Sequence, residues 1–201
     1  MKKIIIRLIT IIFLAVIIFL GYYGYRGYTM YQDVIKEKSL TSRVEDLQSD
    51  SNYVKLEQIS SIYQELVIES EDKRFYQHGP VDYLGLGRAV VTNLTTMSFK
   101  EGGSTITQQL AKNLCLSFEK SLDRKIAEVL IARELEDEYS KNDILAMYLN
   151  ITYLGEGNYG IKEASNYYYH IEPSELNEQQ AKVLVQTLKA PSVYNPSKLT
   201  N

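Results

Sequence analysis

Residues 8–25, LITIIFLAVIIFLGYYGY, form an uncharged run of eighteen dominated by Ile, Leu, Phe and Val. No other feature restricts the architecture so strongly, because a run of this length crosses the hydrocarbon core of a bilayer as one helix that satisfies its own backbone hydrogen bonds. Lys2, Lys3 and Arg7 precede the run. This basic flank predicts a cytoplasmic N-terminus and an external remainder, with Tyr22, Tyr23, Tyr25 and Tyr28 at the far interface. A cleaved signal peptide would begin in the same way, but no small-x-small cleavage site follows Leu20, so an uncleaved single-pass anchor is expected. Of 22 basic residues three lie before the run, which leaves 19 against 25 acidic ones and a net charge of −6 outside the membrane. That balance excludes a generic nucleic-acid binder.

The rest of the chain has the length of one ordinary domain. Cys115 is the only cysteine, so no intramolecular disulfide is expected, and His78 and His170 lack the paired spacing of a structural zinc site. Both Cys115 and His170 are read as packing residues. The expected organisation is a basic tail over 1–7, an anchor over 8–25, a polar stalk over 26–54, where a short irregular helix is equally allowed, and a folded domain over 55–201. Within that domain apolar residues recur at helical spacing. Leu56, Ile59, Tyr63 and Leu66 make one stripe; Ile106, Leu110 and Leu114 make another behind a Thr105/Gln108 capping box. Ala127, Leu130, Ile131 and Leu135 form a third. Ser140 with Asp143, and Asn177 with Gln180, announce two further helices, the second ending at Ala190-Pro191. Alternating strand patterns are scarce, so the expected fold class is mainly α.

Three segments are more polar than their helical surroundings require. EDKRFYQH, residues 71–78, places adjacent carboxylates before an aromatic and a histidine. EGGSTITQQLAKN, residues 101–113, combines two glycines with Ser104, Thr105, Gln108, Gln109, Lys112 and Asn113. In DRKIAEVLIARELE, residues 123–136, Arg124 and Lys125 share a helix face with Glu128. Singly, these read as a helix terminus, a glycine loop with its N-cap, and a surface ion pair. Together, the carboxylates Glu71 and Glu128 and the cations Lys112, Arg124 and Lys125 are the groups needed to activate a sugar hydroxyl and hold a departing pyrophosphate. No phosphate-loop GKS or GKT is present, so such a pyrophosphate would not belong to a soluble nucleotide. Ser117 and Lys120 match SxxK formally, but no KTG follows.

EDKRFYQH, EGGSTITQQLAKN, RKIAE, ILAMYLNITYLGEGNYGI and LKAPSVYNP occur in the order and approximate spacing of family 51 glycosyltransferases, the bacterial peptidoglycan glycosyltransferases. The chain resembles a monofunctional member from about Tyr53 to Pro196. The resemblance implies a lysozyme-like helical lobe with a small hydrophobic, membrane-associated jaw near Ala89–Phe99. It implies polymerisation of lipid II into β-1,4-linked glycan strands with release of undecaprenyl pyrophosphate, at the outer face of a bacterial cell membrane. Glu71 maps onto the general base and Glu128 onto the second carboxylate. Lys112, Arg124 and Lys125 map onto phosphate-binding positions, Ser104, Gln108, Gln109 and Asn113 onto the sugar cleft, and Arg88, Gly103 and Thr105 onto further substrate-binding positions. Asp72, Phe75 and His78 would shape the site.

No obligatory cofactor is implied; Mg2+ or Mn2+ is admitted, with Glu128 as ligand if the ion bridges the pyrophosphate. Implied partners are lipid II, the nascent strand, the bilayer and other cell-wall synthesis proteins, with no nucleic acid. The chain departs from the family pattern at His78-Gly79-Pro80, where a residue is missing before the glycine, at Lys120, where arginine is common, and at Tyr168-Tyr169-His170. It also ends at Asn201, where relatives continue, so the last helix is expected to pack incompletely unless the enzyme is minimal. Two other readings share these features: a lytic enzyme cutting glycan strands, and a non-catalytic lipid II-binding or scaffolding protein.

Overall fold

The computed structural model describes residues 2–98, 102–117 and 119–199. Helix α1 (Lys2–Glu37) is 36 residues long, about 54 Å at 1.5 Å per residue. Among the described residues it is the one helix long and apolar enough to cross a membrane. Its apolar side chains from Ile4 to Leu20 are exposed, and its first buried residue is Gly27.

Residues 26–54, expected as a stalk, are instead packed helical structure over most of their length. The last turns of α1 lie on α6 (Leu122–Glu138). Tyr31, Val34 and Ile35 are partly buried against the core, and Leu40 and Val44 of α2 (Leu40–Gln48) are buried within it. The Arg43 side chain donates to the carbonyls of Val34 and Lys38 at 3.2 and 3.1 Å, so it ties α2 to the end of α1, where the Val34 carbonyl also accepts the Lys38 N–H. A narrow apolar stripe on an otherwise charged segment is enough to dock a helix once a partner surface exists.

The helix expected from Leu56 is divided. Leu56–Gln58 is a 3-10 turn, and α3 (Ser61–Glu71) starts after a break at Ser60. There the Ser60 N–H donates to the Pro173 carbonyl at 3.0 Å and its hydroxyl to the Leu176 carbonyl at 3.0 Å. A second 3-10 turn, Phe75–Gln77, leads into α4 (Tyr83–Thr96), which Asp82 caps by accepting the Gly85 N–H at 2.8 Å. The capping boxes read from sequence are all formed. Thr105 with Gln108 opens α5 (Ile106–Cys115), Ser140 with Asp143 opens α7 (Lys141–Ile151), and Asn177 with Gln180 opens α9 (Glu178–Lys189). Ser121 caps α6; α8 (Gly160–Tyr169) and α10 (Pro196–Leu199) complete the order. His170 ends α8 in the left-handed region at φ 57°.

The body is thus mainly α, in keeping with a lysozyme-like lobe. Among the described residues extended pairing is limited to one bridge, Tyr153 with Tyr159. The core centres on α7, which is buried continuously from Ile144 to Asn150 and packs on α5, α2 and α8. The α4 helix behaves differently. Only Gly85 and Ala89 are buried, while Tyr83, Leu84, Val90, Val91 and Leu94, with Met97 just beyond, are exposed. The part of this apolar surface from Val90 to Met97 falls in the stretch expected as a jaw, Ala89–Phe99, whose last residue lies outside the described residues, and the surface extends back to Tyr83 and Leu84.

Candidate active site

Glu71 is the last residue of α3, placed there because Asp72 leaves helical geometry (φ −158°, ψ 72°) and ends the helix. Asp72 turns its side chain inward. One carboxylate oxygen accepts the N–H of Ile106, at the start of α5, at 3.0 Å, and the other pairs with His78 Nε2 at 2.7 Å. Thr105 Oγ donates to the Pro80 carbonyl at 2.9 Å. Arg74 grips Asp82 through both oxygens while Asp82 caps α4. The polar segment after α3 therefore ties together the end of one helix and the starts of two others, which fixes where Glu71 sits.

Glu71 faces a cleft of about 810 Å³. Its wall is formed by the end of α3, the first turns of α4 including Arg88, the strip from Gly102 to Thr105, Gln109 on α5 and Lys189 at the end of α9. Gln109 Nε2 donates to Glu71 Oε2 at 3.1 Å, the Ser70 hydroxyl contacts Oε1 at 3.2 Å, and the Tyr148 hydroxyl donates to Gln109 Oε1 at 3.2 Å. Burial holds the Tyr148 phenol well above its ordinary range, reinforced by the charge of Glu71, so it remains a neutral donor.

Glu128 is 2% exposed on α6. It pairs with Arg124 at 2.6 Å and, through its other oxygen, with Lys125. Lys125 Nζ also donates to Ser104 Oγ at 2.8 Å, so Ser104 joins the cleft to this charged cluster. Burial pushes the Lys112 ammonium down; Glu128 and Glu71 pull it up, and Arg124 and Lys125 add to the lowering. Lys112 thus responds to both carboxylates. Arg124 Nε is buried without a hydrogen-bond partner among the described residues.

Of the residues singled out from sequence, Glu71, Asp72, Arg88, Gly103, Ser104, Thr105 and Gln109 line the cleft. Glu128, Arg124 and Lys125 form the adjoining cluster. The others are elsewhere: Phe75 is wholly buried in the core, His78 stands behind Asp72, and Asn113 is a half-buried residue of α5 outside the lining. Gln108 is 2% exposed and is not itself in the lining; its side-chain carbonyl closes the capping box by accepting the N–H of the lining residue Thr105 at 3.1 Å, with Lys125 Nζ at 3.5 Å from the same oxygen. Two further residues of the site, Lys189 and Tyr148, carry no distinguishing signal in the sequence: Lys189 falls within LKAPSVYNP, and Tyr148 falls within the apolar helical stretch ILAMYLN.

Neither acidic grouping suits a protein-held divalent ion. Asp72, His78 and Asp82 bring ligand atoms within 4.8 Å of one another, but each is engaged, Asp82 by the Arg74 guanidinium. Glu128 has cations on both oxygens and Lys112 nearby. An ion there would meet three positive charges and a single carboxylate.

Comparison with known proteins shows the family. The family model described as Transglycosylase matches residues 37–201. Penicillin-binding protein 1F of Bacillus subtilis (strain 168) is 41% identical over 208 aligned residues, covering 97% of this chain and 29% of the relative. Penicillin-binding protein 1A of Neisseria lactamica is 44% identical over 144 residues, 72% of this chain and 18% of the relative, and that of Neisseria gonorrhoeae is 43% identical over the same length. The chain therefore spans less than a third of the length of these relatives. With the family model matched over residues 37–201 and a relative 41% identical over 97% of the chain, this chain belongs to the transglycosylase family, the family 51 peptidoglycan glycosyltransferases.

Proposed function

We propose that the protein is a peptidoglycan glycosyltransferase that polymerises lipid II with inversion. The observation that carries this reading is Glu71 on the cleft wall, held by Gln109 at 3.1 Å, beside a cluster of cations on α5 and α6. Glu71 takes the proton of the acceptor's GlcNAc 4-hydroxyl while that oxygen forms a bond to the anomeric carbon of the growing strand. The bond from that carbon to the pyrophosphate oxygen breaks, and its electron pair leaves with undecaprenyl pyrophosphate. Lys112, Arg124 and Lys125 neutralise the charge that develops there. The unpartnered Arg124 Nε suits a phosphate oxygen, since a buried donor left unsatisfied costs about 1–3 kcal/mol. Glu128 orients Arg124 and Lys125 by accepting from both.

The α1 helix and the exposed apolar face of α4 keep the cleft at the outer surface of the membrane, where a lipid-linked substrate resides, with the N-terminus in the cytoplasm. Other cell-wall synthesis proteins are partners consistent with this place.

The test is incubation of the full chain in detergent with labelled lipid II, comparing wild type with Glu71→Gln on a gel. Polymer from the wild type alone supports the reading. Polymer from both removes Glu71 as the base, cleavage of preformed strands points to a lytic enzyme, and binding without polymer points to a precursor-binding scaffold.

A further inference from the structure

We propose that Tyr148 is a positioning residue for the base: through the Gln109 amide it holds Glu71 by Oε2 and leaves Oε1 to receive the acceptor's proton. This rests on the reading of Glu71 as the base. An ionised carboxylate only accepts, so the amide end of Gln109 at 3.1 Å from Oε2 is its NH2. The Gln109 carbonyl oxygen then faces Tyr148, whose hydroxyl at 3.2 Å must donate. The chain Tyr148 to Gln109 to Glu71 therefore has one direction, set by the carboxylate.

Tyr148 is 1% exposed on the buried helix α7, so its hydroxyl is fixed by the core rather than by solvent. Phenylalanine would fill the same space, and the hydroxyl's contact with Gln109 is the feature that packing does not explain. At the other end of the relay the two carboxylate oxygens are unequal. Oε2 faces the Gln109 N–H, which stays a donor while the Tyr148 hydroxyl donates to the other end of that amide. Oε1 faces the Ser70 hydroxyl at 3.2 Å, which can rotate to accept once Oε1 is protonated. The proton leaving the acceptor hydroxyl thus goes to Oε1, as the oxygen's electron pair forms the glycosidic bond and the donor's bond to pyrophosphate breaks.

The test uses the full chain with lipid II and measures kcat, KM and the pH profile of kcat/KM for Tyr148→Phe, Gln109→Met and the double variant. Other groups bearing on Glu71 are unchanged in all of them: Tyr63 and the neighbours Glu69, Asp72 and Lys73, Arg88 on α4, Lys112 on α5 and Lys189 on α9. Tyr148→Phe is expected to lower kcat about 3- to 10-fold, the loss of one hydrogen bond's worth of orientation, with KM nearly unchanged. Loosening or removing the Gln109 N–H that Oε2 accepts favours the protonated carboxylate, so the acid limb moves to higher pH. The double variant should be no worse than Gln109→Met, because Tyr148 acts through Gln109. A purely structural tyrosine would give additive losses and an unmoved acid limb, which overturns the proposal. Should Tyr148→Phe lower the melting temperature, Gln109→Met probes the relay from the cleft side, and full kcat with an unmoved limb there overturns it equally. Activity retained in Glu71→Gln defeats the base assignment itself; an inactive Glu71→Gln with an unaffected Tyr148→Phe defeats only the relay.

Discussion

Gly27 on the anchor helix approaches Ile126 on α6 so closely that a Cβ at position 27 would lie 2.5 Å from Ile126 Cβ and 2.9 Å from the Asp123 carbonyl oxygen. The contact is braced on either side, by an Arg26–Asp123 ion pair at 2.8 Å and by Tyr31 donating to Glu134 at 2.8 Å. The helix seated there is the one that carries Arg124, Lys125 and Glu128. The anchor is consequently joined to the charged cluster through helix packing and not through a flexible tether.

Gly27→Val should force α1 away from α6 and lower stability by about 1–3 kcal/mol, the usual cost of overpacking. Gly24→Ala, one turn earlier with nothing within 4 Å of the added methyl, should be neutral. Thermal unfolding of the two variants in the same detergent checks the contrast. Equal melting temperatures would mean that α1 is not seated on α6.

Asp72→Ala should destabilise the fold by about 1–3 kcal/mol because it leaves the buried Ile106 N–H without an acceptor and strips His78 of its partner. Since the same carboxylate ties α3 to the start of α5, turnover should fall along with stability. A denaturant titration together with the polymerisation assay measures both; unchanged stability would show that the α5 N-terminus does not depend on this contact.

Lys112 provides a pH signature. Its folded pKa is lowered from 10.5, first by burial, so it loses its charge at a lower pH than an ordinary lysine. For stability, the unfolded chain binds more protons than the folded one between the lowered value and 10.5, so this residue's contribution rises with pH across that window. For function the sign is opposite under the proposed phosphate-binding role, because a neutral Lys112 would lose its attraction for phosphate. Turnover should decline on the alkaline side, and Lys112→Arg, which stays charged, should flatten that decline in a kcat/KM profile. An unchanged alkaline limb in this variant would remove Lys112 from the phosphate set.

Burial pushes the Cys115 thiol up to about 11, with Glu134 adding to the rise and Arg43 opposing it. At neutral pH the thiolate population is therefore small, and alkylation of the folded protein should be slow. Addition of denaturant should make labelling fast. Rapid modification of the native protein, followed by mass spectrometry, would contradict the packing role of this cysteine.

The sequence by itself determined the elements whose signals are local. A capping box needs only residues three apart, so Thr105/Gln108, Ser140/Asp143 and Asn177/Gln180 marked helix starts that the structure contains. The uncharged run of residues 8–25 is legible for the same reason, and so are the polar motifs that hold Glu71 and Glu128. Tertiary structure decided what depends on partners distant in the chain. Residues 26–48 carry too thin an apolar stripe to predict docking, and only the surfaces of α6 and the core make it favourable. Gln108 and Gln109 are chemically identical neighbours, yet about 100° of helix rotation sends one into the cap and the other to Glu71. Lys189 reaches the cleft because α9 packs on α3, and Tyr148 gains a polar partner because α7 lies against α5. Periodicity identifies which face of a helix is buried, but not which side chain on another helix it meets there.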